Sequence, residues 1–261
     1  MTASGAAAGD PQGGVLGSRS SARLIRAFDL VVAVLMLPFA LLVGLVIAVI
    51  IFVDSPGPIF YHSPRIGRGG RAFDMLKFRK MRRDATGAPL TKFRDERLTP
   101  IGEFLVATKL DELPQLWNVL RGQMSVVGPR PEVQEFVSLY PDEYRQILTV
   151  VPGITGPAQL EYIEERHLLA DAHESAKLYA QEILPRKIAV DLEYIRTQSL
   201  RRDLAILAHT ALMPARTLKE RLALVKARAS TGRRRVAVYA GAAIAVLALL
   251  ATYVMTSGPI R

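Results

Sequence analysis

Cysteine is absent from the 261 residues, and histidine is scarce, with four in the whole chain. Without cysteine the chain can form neither a disulfide framework nor a thiolate metal centre. His167 and His173 stand six residues apart, which puts them on different faces of a helix and argues against a histidine metal pair. Acidic residues are also in the minority, 24 against 34 basic ones, for a net charge of +10. This balance favours an anionic partner such as nucleic acid, anionic lipid or a phosphorylated substrate.

Charge is missing altogether from residues 30–53 and 236–254. Each run is long enough to cross a bilayer as a helix. The first contains Pro38 and has basic residues on both flanks, which suggests that both ends lie on the cytoplasmic side. We therefore predict a re-entrant helix hairpin over residues 21–54, broken at Pro38, with a kinked spanning helix as the alternative.

The second run has three arginines before it and a single arginine after it. This asymmetry predicts an added C-terminal transmembrane helix over residues 233–256, with the C-terminus outside the cell. Residues 1–20 are rich in Ala, Gly and Ser, which predicts a disordered leader. The leader does not have the apolar core and cleavage site of a signal peptide.

Asp111 and Glu112 stand directly before Leu113-Pro114, and the rest of the chain can be placed around them. Proline suits the first turn of a helix, so a short turn carrying both carboxylates should precede a helix over residues 114–120. Taken alone, such a pair is most simply a charged cap on a helix N-terminus. It can also form part of a phosphate-binding site, because a helix N-terminus attracts anions.

Four further segments favour the second interpretation: Asp54-Ser55-Pro56-Gly57-Pro58, Lys77-Phe78-Arg79-Lys80-Met81, Val126-Val127-Gly128-Pro129-Arg130-Pro131 and Val151-Pro152-Gly153-Ile154-Thr155-Gly156. In this order, around the carboxylate pair, they resemble the bacterial sugar transferase family, the monotopic polyprenyl-phosphate phosphoglycosyl transferases. The resemblance covers roughly residues 22 to 210, and several motifs in fixed order are far more specific than one short pattern.

The resemblance implies the activity and the site. Such enzymes transfer a sugar 1-phosphate from a nucleoside-diphosphate sugar, usually a UDP-sugar, to a polyprenyl phosphate such as undecaprenyl phosphate, and so begin assembly of exopolysaccharide and other cell-surface glycans. Asp111 matches the nucleophile that forms an aspartyl-phosphosugar intermediate, and Glu112 matches the ligand of Mg²⁺. The residues expected to bind substrate phosphates are Lys77, Arg79, Lys109, Arg130 and Gln159.

The chain departs from the family pattern at four places. Leu37 replaces the usual Ser before Pro38, Lys109 stands where a Ser is usual, and only Gln159 remains of a Gln-Val-x-Gly-Arg segment. Val106 and Ala107 are apolar where the family usually has basic residues, so Lys109 is the candidate to supply the missing charge. The sugar therefore stays open.

The predicted fold is mixed α/β and mostly helical. The catalytic domain should occupy residues 55–210 on the cytoplasmic face of the bacterial inner membrane, followed by a basic amphipathic helix or linker over residues 211–232. The expected partners are the donor, the lipid acceptor and membrane lipids, with the oligomeric state open and a homo-oligomer among the alternatives. A non-catalytic anchored protein that binds anionic lipid is the rival interpretation, and a nucleic-acid binder is weaker because no recognised motif accompanies the charge.

Overall fold

The computed structural model describes residues 19–87, 90–91, 95–162 and 175–212. The first element, helix α1, runs from Arg19 to Asp54 and contains Pro38 within its length. In the described part of the chain it is the one helix long and apolar enough to cross a membrane. The predicted apolar N-terminal helix is confirmed, although α1 begins two residues inside the predicted leader and the structure carries it through Pro38 as one element.

Two antiparallel strands follow, β1 (Phe60–Ile66) and β2 (Ala72–Phe78), with Phe60 opposite Phe78 and Ile66 opposite Ala72. The turn between them is a short 3₁₀ segment, Arg68–Gly70. Gly69 and Gly70 both have positive φ in this turn, a backbone region open to glycine. The β1–β2 hairpin matters because β2 carries Lys77, and Lys80 follows two residues after its end; both lysines contact the carboxylates.

The middle of the chain alternates short helices with two short strands. In chain order the elements are α2 (Pro100–Thr108), α3 (Gln115–Leu120), β3 (Ser125–Val127), α4 (Gln134–Val137), α5 (Pro141–Ile147), β4 (Gly153–Thr155) and α6 (Pro157–Glu161). The sequence predicts a single helix over residues 135–148, but Pro141 starts a new helix and the segment forms two. It predicts only a turn over residues 152–156; instead β4 pairs in parallel with β3.

The described chain ends in a helical segment. It comprises α7 (Ser175–Leu178), a π-helical turn (Tyr179–Ile183), α8 (Leu184–Thr197) and α9 over residues 200–212. Helices with two small sheets agree with the mostly helical fold that the sequence predicts. The predicted C-terminal membrane helix and most of the leader and of the basic linker lie outside the described residues.

Buried side chains form three clusters, two of which pack the domain against α1. Met75 of β2 and Val119 of α3 pack with Ala33 of α1 in one cluster. Phe78 and Leu105 pack with Ile51 near the end of α1 in a second. The third joins α4 and α5 to the π-turn and α8. Both the early and the late part of α1 therefore contact the same small domain.

Polar contacts secure α1 at both ends. The Arg26 guanidinium donates to the carbonyls of Val119 and Leu120 at 2.7 and 3.0 Å. The buried Asp29 carboxylate accepts from the Ser125 hydroxyl and the Val126 amide, both at 2.8 Å. At the other end Arg79 donates to the Ser55 carbonyl. These contacts make α1 part of the domain's framework.

Candidate active site

The two carboxylates lie on a tight turn between α2 and α3. Thr99 caps α2 by accepting from the Gly102 amide at 3.0 Å, and Pro100 occupies the first turn. The helix ends at Lys109, whose φ of 61° makes it the only non-glycine residue with positive φ in the described chain. A 3₁₀ turn, Leu110–Glu112, then carries both acids, and α3 begins three residues later. A lysine in the left-handed backbone region costs roughly 1–3 kcal/mol of conformational free energy, so this turn is strained.

Asp111 is almost fully buried, with 2% of its surface exposed. Its Oδ2 accepts from the Lys80 ammonium at 3.1 Å. Its Oδ1 is shielded from solvent and has no hydrogen-bond partner among the described residues. A buried oxygen without a partner costs about 1–3 kcal/mol, so a site that retains one invites a functional explanation.

Glu112 is clamped by cations. The Arg130 guanidinium reaches both of its oxygens, Nη2 to Oε1 at 2.7 Å and Nη1 to Oε2 at 3.4 Å. The Lys77 ammonium lies 3.8 Å from Oε1. Arg130 thus grips Glu112 through two donors, tightly at Oε1 and loosely at Oε2.

The electrostatics of the cluster follow from burial and crowding. Burial lowers the pKa of Lys77 well below that of a free lysine, and the charge of Arg130 lowers it further. Burial likewise lowers the pKa of Lys109, against the pull of Glu112. Burial alone would raise the pKa of Glu112, but Arg130 and Lys77 outweigh it and hold that pKa below the usual range. Glu112 therefore stays ionised, while burial works against the charged form of both lysines.

The segment that carries Arg130 is fixed by backbone hydrogen bonds on both sides. Gly128 donates to the Thr155 carbonyl at 2.9 Å, and the Pro129 carbonyl accepts from Gly153 at 2.8 Å. Beyond Arg130, the Glu132 carbonyl accepts from the Ile66 amide at 3.0 Å. The flanking prolines restrict the backbone between these anchors. Arg130 is therefore presented by a rigid support rather than by a free loop.

Of the five phosphate-binding candidates, the structure places three near the carboxylates and one elsewhere. The structure brings Lys77, Lys109 and Arg130 around the carboxylates. Arg79 instead points to the end of α1, where it contacts the Ser55 carbonyl.

Gln159, the fifth candidate, lies on α6, where neither side-chain polar atom has a partner among the described residues. The lack of a side chain at Gly156 gives its Oε1 room, since a Cβ there would lie 2.8 Å away. No contact joins Gln159 to the carboxylates within the described part of the chain, so its substrate role stays a prediction.

The structure adds residues that the sequence analysis does not single out. Lys80 contacts Asp111 directly, although the sequence points only to its neighbours Lys77 and Arg79 in the same motif. A buried network also surrounds Glu132, which accepts from the Tyr179 hydroxyl and lies 3.5 Å from Arg65. Lys187 donates to the same hydroxyl at 3.0 Å. Sequence spacing carries no signal for these pairs, whose members lie 47 and 67 residues apart.

Chemically, the site presents the Asp111 Oδ1 atom without a partner among the described residues. Four basic side chains lie near the two carboxylates: Lys77, Lys80, Lys109 and Arg130. Two carboxylates offset only half of that charge. Such a surplus, with planar multi-donor recognition by arginine, suits the oxygens of a diphosphate. In the ranges that the structure describes, no group of three or more His, Cys, Asp or Glu side chains is placed to hold a metal by itself.

Comparisons with known proteins agree with this chemistry. Residues 20–216 match the family model described as "Bacterial sugar transferase". A UDP-glucose:undecaprenyl-phosphate glucose-1-phosphate transferase of Caulobacter vibrioides is 38% identical over 190 residues, 71% of this chain and 67% of that protein. A Xanthomonas campestris protein of the same name is 41% identical over 174 residues, 64% of this chain and 34% of that protein.

A third relative is closer in length. An exopolysaccharide production protein of Rhizobium leguminosarum is 39% identical over 203 residues, 72% of this chain and 94% of that protein. The chain therefore spans nearly all of one curated relative, about two thirds of another and about one third of the Xanthomonas protein.

Proposed function

We propose a function for this chain on the basis that it belongs to the bacterial sugar transferase family. It transfers a sugar 1-phosphate from a UDP-sugar to a polyprenyl phosphate such as undecaprenyl phosphate. The observation that carries this proposal is the buried Asp111, with one oxygen held by Lys80 and the other without a partner among the described residues, amid four cations. The relatives' names supply the substrate class, and the sugar itself is left to experiment.

The proposed reaction has two displacements at the sugar-proximal phosphorus. An Asp111 oxygen attacks that phosphorus, the bond to the bridging oxygen breaks, and UMP leaves with the electron pair. An oxygen of the lipid phosphate then attacks the same phosphorus and releases the Asp111 carboxylate. The product is a lipid-diphosphate sugar, and no proton is gained or lost overall. The cations would stabilise charge on the phosphoryl oxygens through both steps.

Mg²⁺ is proposed as the cofactor. It prefers carboxylate oxygens together with substrate phosphates and retained waters. Glu112 supplies a carboxylate of that kind, and its Oε2 is the less tightly engaged oxygen, at 3.4 Å from Arg130. Glu112 would hold the ion with the donor's phosphate oxygens, and the ion would supply charge neutralisation there. Arg130 would keep its tighter bond to Oε1.

A membrane hairpin is the proposed form of α1. A straight helix of 36 residues would be about 54 Å long. Yet Arg26 contacts Val119 near one end, and Ile51 packs with Phe78 near the other. A helix that crosses the bilayer could not return to the cytoplasmic domain in this way. We infer that both ends face the cytoplasm at the inner membrane, with Pro38 at the turning point, so that the carboxylates lie at the depth of the lipid phosphate.

The test is intact-protein mass spectrometry after mixing the protein with a panel of UDP-sugars and Mg²⁺, without lipid acceptor. We expect a mass gain of one sugar phosphate, mapped to Asp111, for the correct donor, and release of UMP. Asp111→Asn should form no adduct. Glu112→Gln should lose activity that excess Mg²⁺ partly restores, whereas metal cannot restore a missing nucleophile. An adduct on the Asp111→Asn protein would overturn the assignment, and an inert wild type with every donor would favour the rival lipid-binding role.

A further inference from the structure

The two oxygens of the Asp111 carboxylate lie in unlike surroundings. Lys80 holds Oδ2 at 3.1 Å, while Oδ1 is buried and without a partner among the described residues. A carboxylate is symmetric in itself, and its terminal torsion is two-fold and broad. The difference between the oxygens is therefore imposed from outside, and Lys80 is the group that imposes it.

The backbone of Lys80 is fixed to the helix that leads to Asp111. The Lys80 carbonyl accepts from the Thr99 amide at 3.0 Å at the start of α2. Gly102, one turn into the same helix, packs directly against that carbonyl, since a Cβ at this position would lie 1.8 Å from the oxygen. The lysine and the turn that carries Asp111 are thus attached to opposite ends of one nine-residue helix. Its length sets the distance between them.

We propose that Lys80 is a positioning residue that holds Asp111 by Oδ2 alone, so that Oδ1 is the atom that attacks phosphorus. This inference rests on the proposed function. Oδ1 forms the new bond to phosphorus as the bond from phosphorus to the bridging oxygen of UMP breaks, and Lys80 keeps its contact with Oδ2. In the second step the bond from Oδ1 to phosphorus breaks and the carboxylate returns to the grip of Lys80.

The role differs from simple charge provision, and substitutions at position 80 separate the two. Lys80→Met removes the contact, so both oxygens become equivalent. Lys80→Arg keeps the charge, but a guanidinium engages both oxygens of a carboxylate and would cover Oδ1 as well. Lys80→Gln keeps a single neutral donor of similar length. Positioning predicts that Gln is the best of the three replacements, whereas charge provision predicts Arg.

The experiment measures adduct formation in a single turnover at several donor concentrations, without acceptor. We expect the maximal rate to fall by about 100-fold in Lys80→Met and Lys80→Arg, the scale of a misplaced reacting group. The maximal rate of Lys80→Gln should fall less. The half-saturating donor concentration should stay unchanged in all three variants. Arg145→Met, which removes an exposed cation on α5, is the matched control for charge and should behave as wild type.

Two outcomes overturn the inference. One is a Lys80→Arg protein as fast as wild type; the other is a rise in the half-saturating donor concentration with an unchanged maximal rate, which would make Lys80 a donor-binding residue. Thermal unfolding of each variant separates loss of fold from loss of chemistry, with Lys80→Gln as the least disruptive replacement. A wild type that forms no adduct with any UDP-sugar would refute the proposed function itself, a different and recognisable failure.

Discussion

Lys77 shows how a single buried residue of the site can lower the stability of the fold. It is 9% exposed, and burial lowers its pKa well below 10.5. A lysine with a lower pKa in the folded than in the unfolded chain opposes folding while it is protonated. The opposition is complete below the folded pKa, declines as pH rises above it, and disappears near pH 10.5. Retaining such a lysine makes sense if a phosphate later supplies its counter-charge.

We therefore predict that Lys77→Met raises the free energy of unfolding at pH 7, because the cost of burying the ammonium charge is removed. The same variant should bind the UDP-sugar donor more weakly. Thermal unfolding in detergent at about pH 7 and about pH 9.5, with Arg145→Met alongside, tests the first part. A variant no more stable than wild type at pH 7, or a gain that grows with pH, would contradict it.

Arg130 is the residue whose geometry, beyond its charge, should matter. Its two donors grip Glu112, and the prolines beside it restrict the backbone. Arg130→Lys keeps the charge but loses the fork. The loss of one charge-assisted hydrogen bond, about 1.5–3 kcal/mol, should lower kcat/KM by about 10- to 100-fold. Steady-state UMP release measures it, and a fully active lysine variant would refute the role.

At this scale, much of the site is predictable because its residues lie in recognisable local motifs. Asp111 and Glu112 precede a proline-led helix, and Arg130 lies between prolines. Lys80 escapes prediction because its partner lies 31 residues away, and only folding brings the two together. The sequence places Arg79 beside Lys77, but β2 ends at Phe78 and the chain beyond it turns Arg79 toward the end of α1.

At the scale of elements, the site depends on the close approach of β3 and β4. A Cβ on Gly153 would lie 2.1 Å from the Gly128 nitrogen. Gly153→Ala should therefore push the strands apart, destabilise the fold by about 3 kcal/mol and displace Arg130 two residues beyond Gly128. Unfolding and UMP release measure both effects.

The turn between β1 and β2 offers a matched control for that prediction. Gly69 has φ +70°, but a methyl group added there would meet no described atom within 4 Å, so Gly69→Ala encounters only backbone strain. That strain costs about 1 kcal/mol, and the turn is not part of the carboxylate site. Gly69→Ala should therefore be mildly destabilised and fully active. Equal losses of activity in the two alanine variants would contradict the strand-approach argument.

Helix α8 carries a buried carboxylate, Asp191, whose pKa the fold raises. Burial raises the pKa of Asp191 from 3.8 to about 7, partly offset by Lys187. The folded chain thus holds a proton that the unfolded chain has lost, so wild-type stability falls as pH rises from 3.8 to about 7. Asp191→Asn should remove this pH dependence, and its free energy of unfolding should exceed that of the wild type by about 1–4 kcal/mol above pH 7. Unfolding measured at about pH 5 and about pH 8 tests it, and a pH-independent difference would refute it.

The elements themselves are only partly predictable. α3 and the turn before it follow from Leu113-Pro114, and the predicted apolar helix exists. The sequence predicts a turn in place of β4 because this strand has three residues, begins with glycine and pairs with a strand 28 residues upstream. It predicts one helix in place of α4 and α5 because apolar spacing continues across Pro141, whose effect on the backbone separates the two.

For the whole molecule, the question is how the long apolar helix and the proposed phosphate site come to share one framework. The outer side of α1 exposes large apolar residues throughout its middle, such as Val34, Leu35, Phe39 and Leu42. The opposite side packs on β2, which carries Lys77, and on α2, which leads directly into the turn that holds Asp111. The exposed apolar side of α1 and the carboxylate turn are thus joined through the packed side chains between them.

The absence of cysteine makes the proposed topology directly testable, because each introduced cysteine is the only thiol in the chain. We predict that Ser20→Cys, in the first turn of α1, and Arg68→Cys, beyond its end, resist a membrane-impermeant maleimide in intact cells and react after permeabilisation. Phe39→Cys, beside the proposed turning point, is 51% exposed in the isolated chain but should lie in lipid. It should therefore react only once detergent removes the bilayer.

The expected pattern follows from where α1 is held. Arg26 is bonded to α3 and Ile51 is packed against β2, so Ser20 and Arg68 must lie on the domain's side of the membrane. A spanning helix would place them on opposite sides, and one of the two cysteines would then react in intact cells. Gly258→Cys, which the sequence analysis places outside the cell, is a companion probe for the C-terminal segment. Labelling of Ser20→Cys from outside would refute the hairpin, whatever the result at position 258.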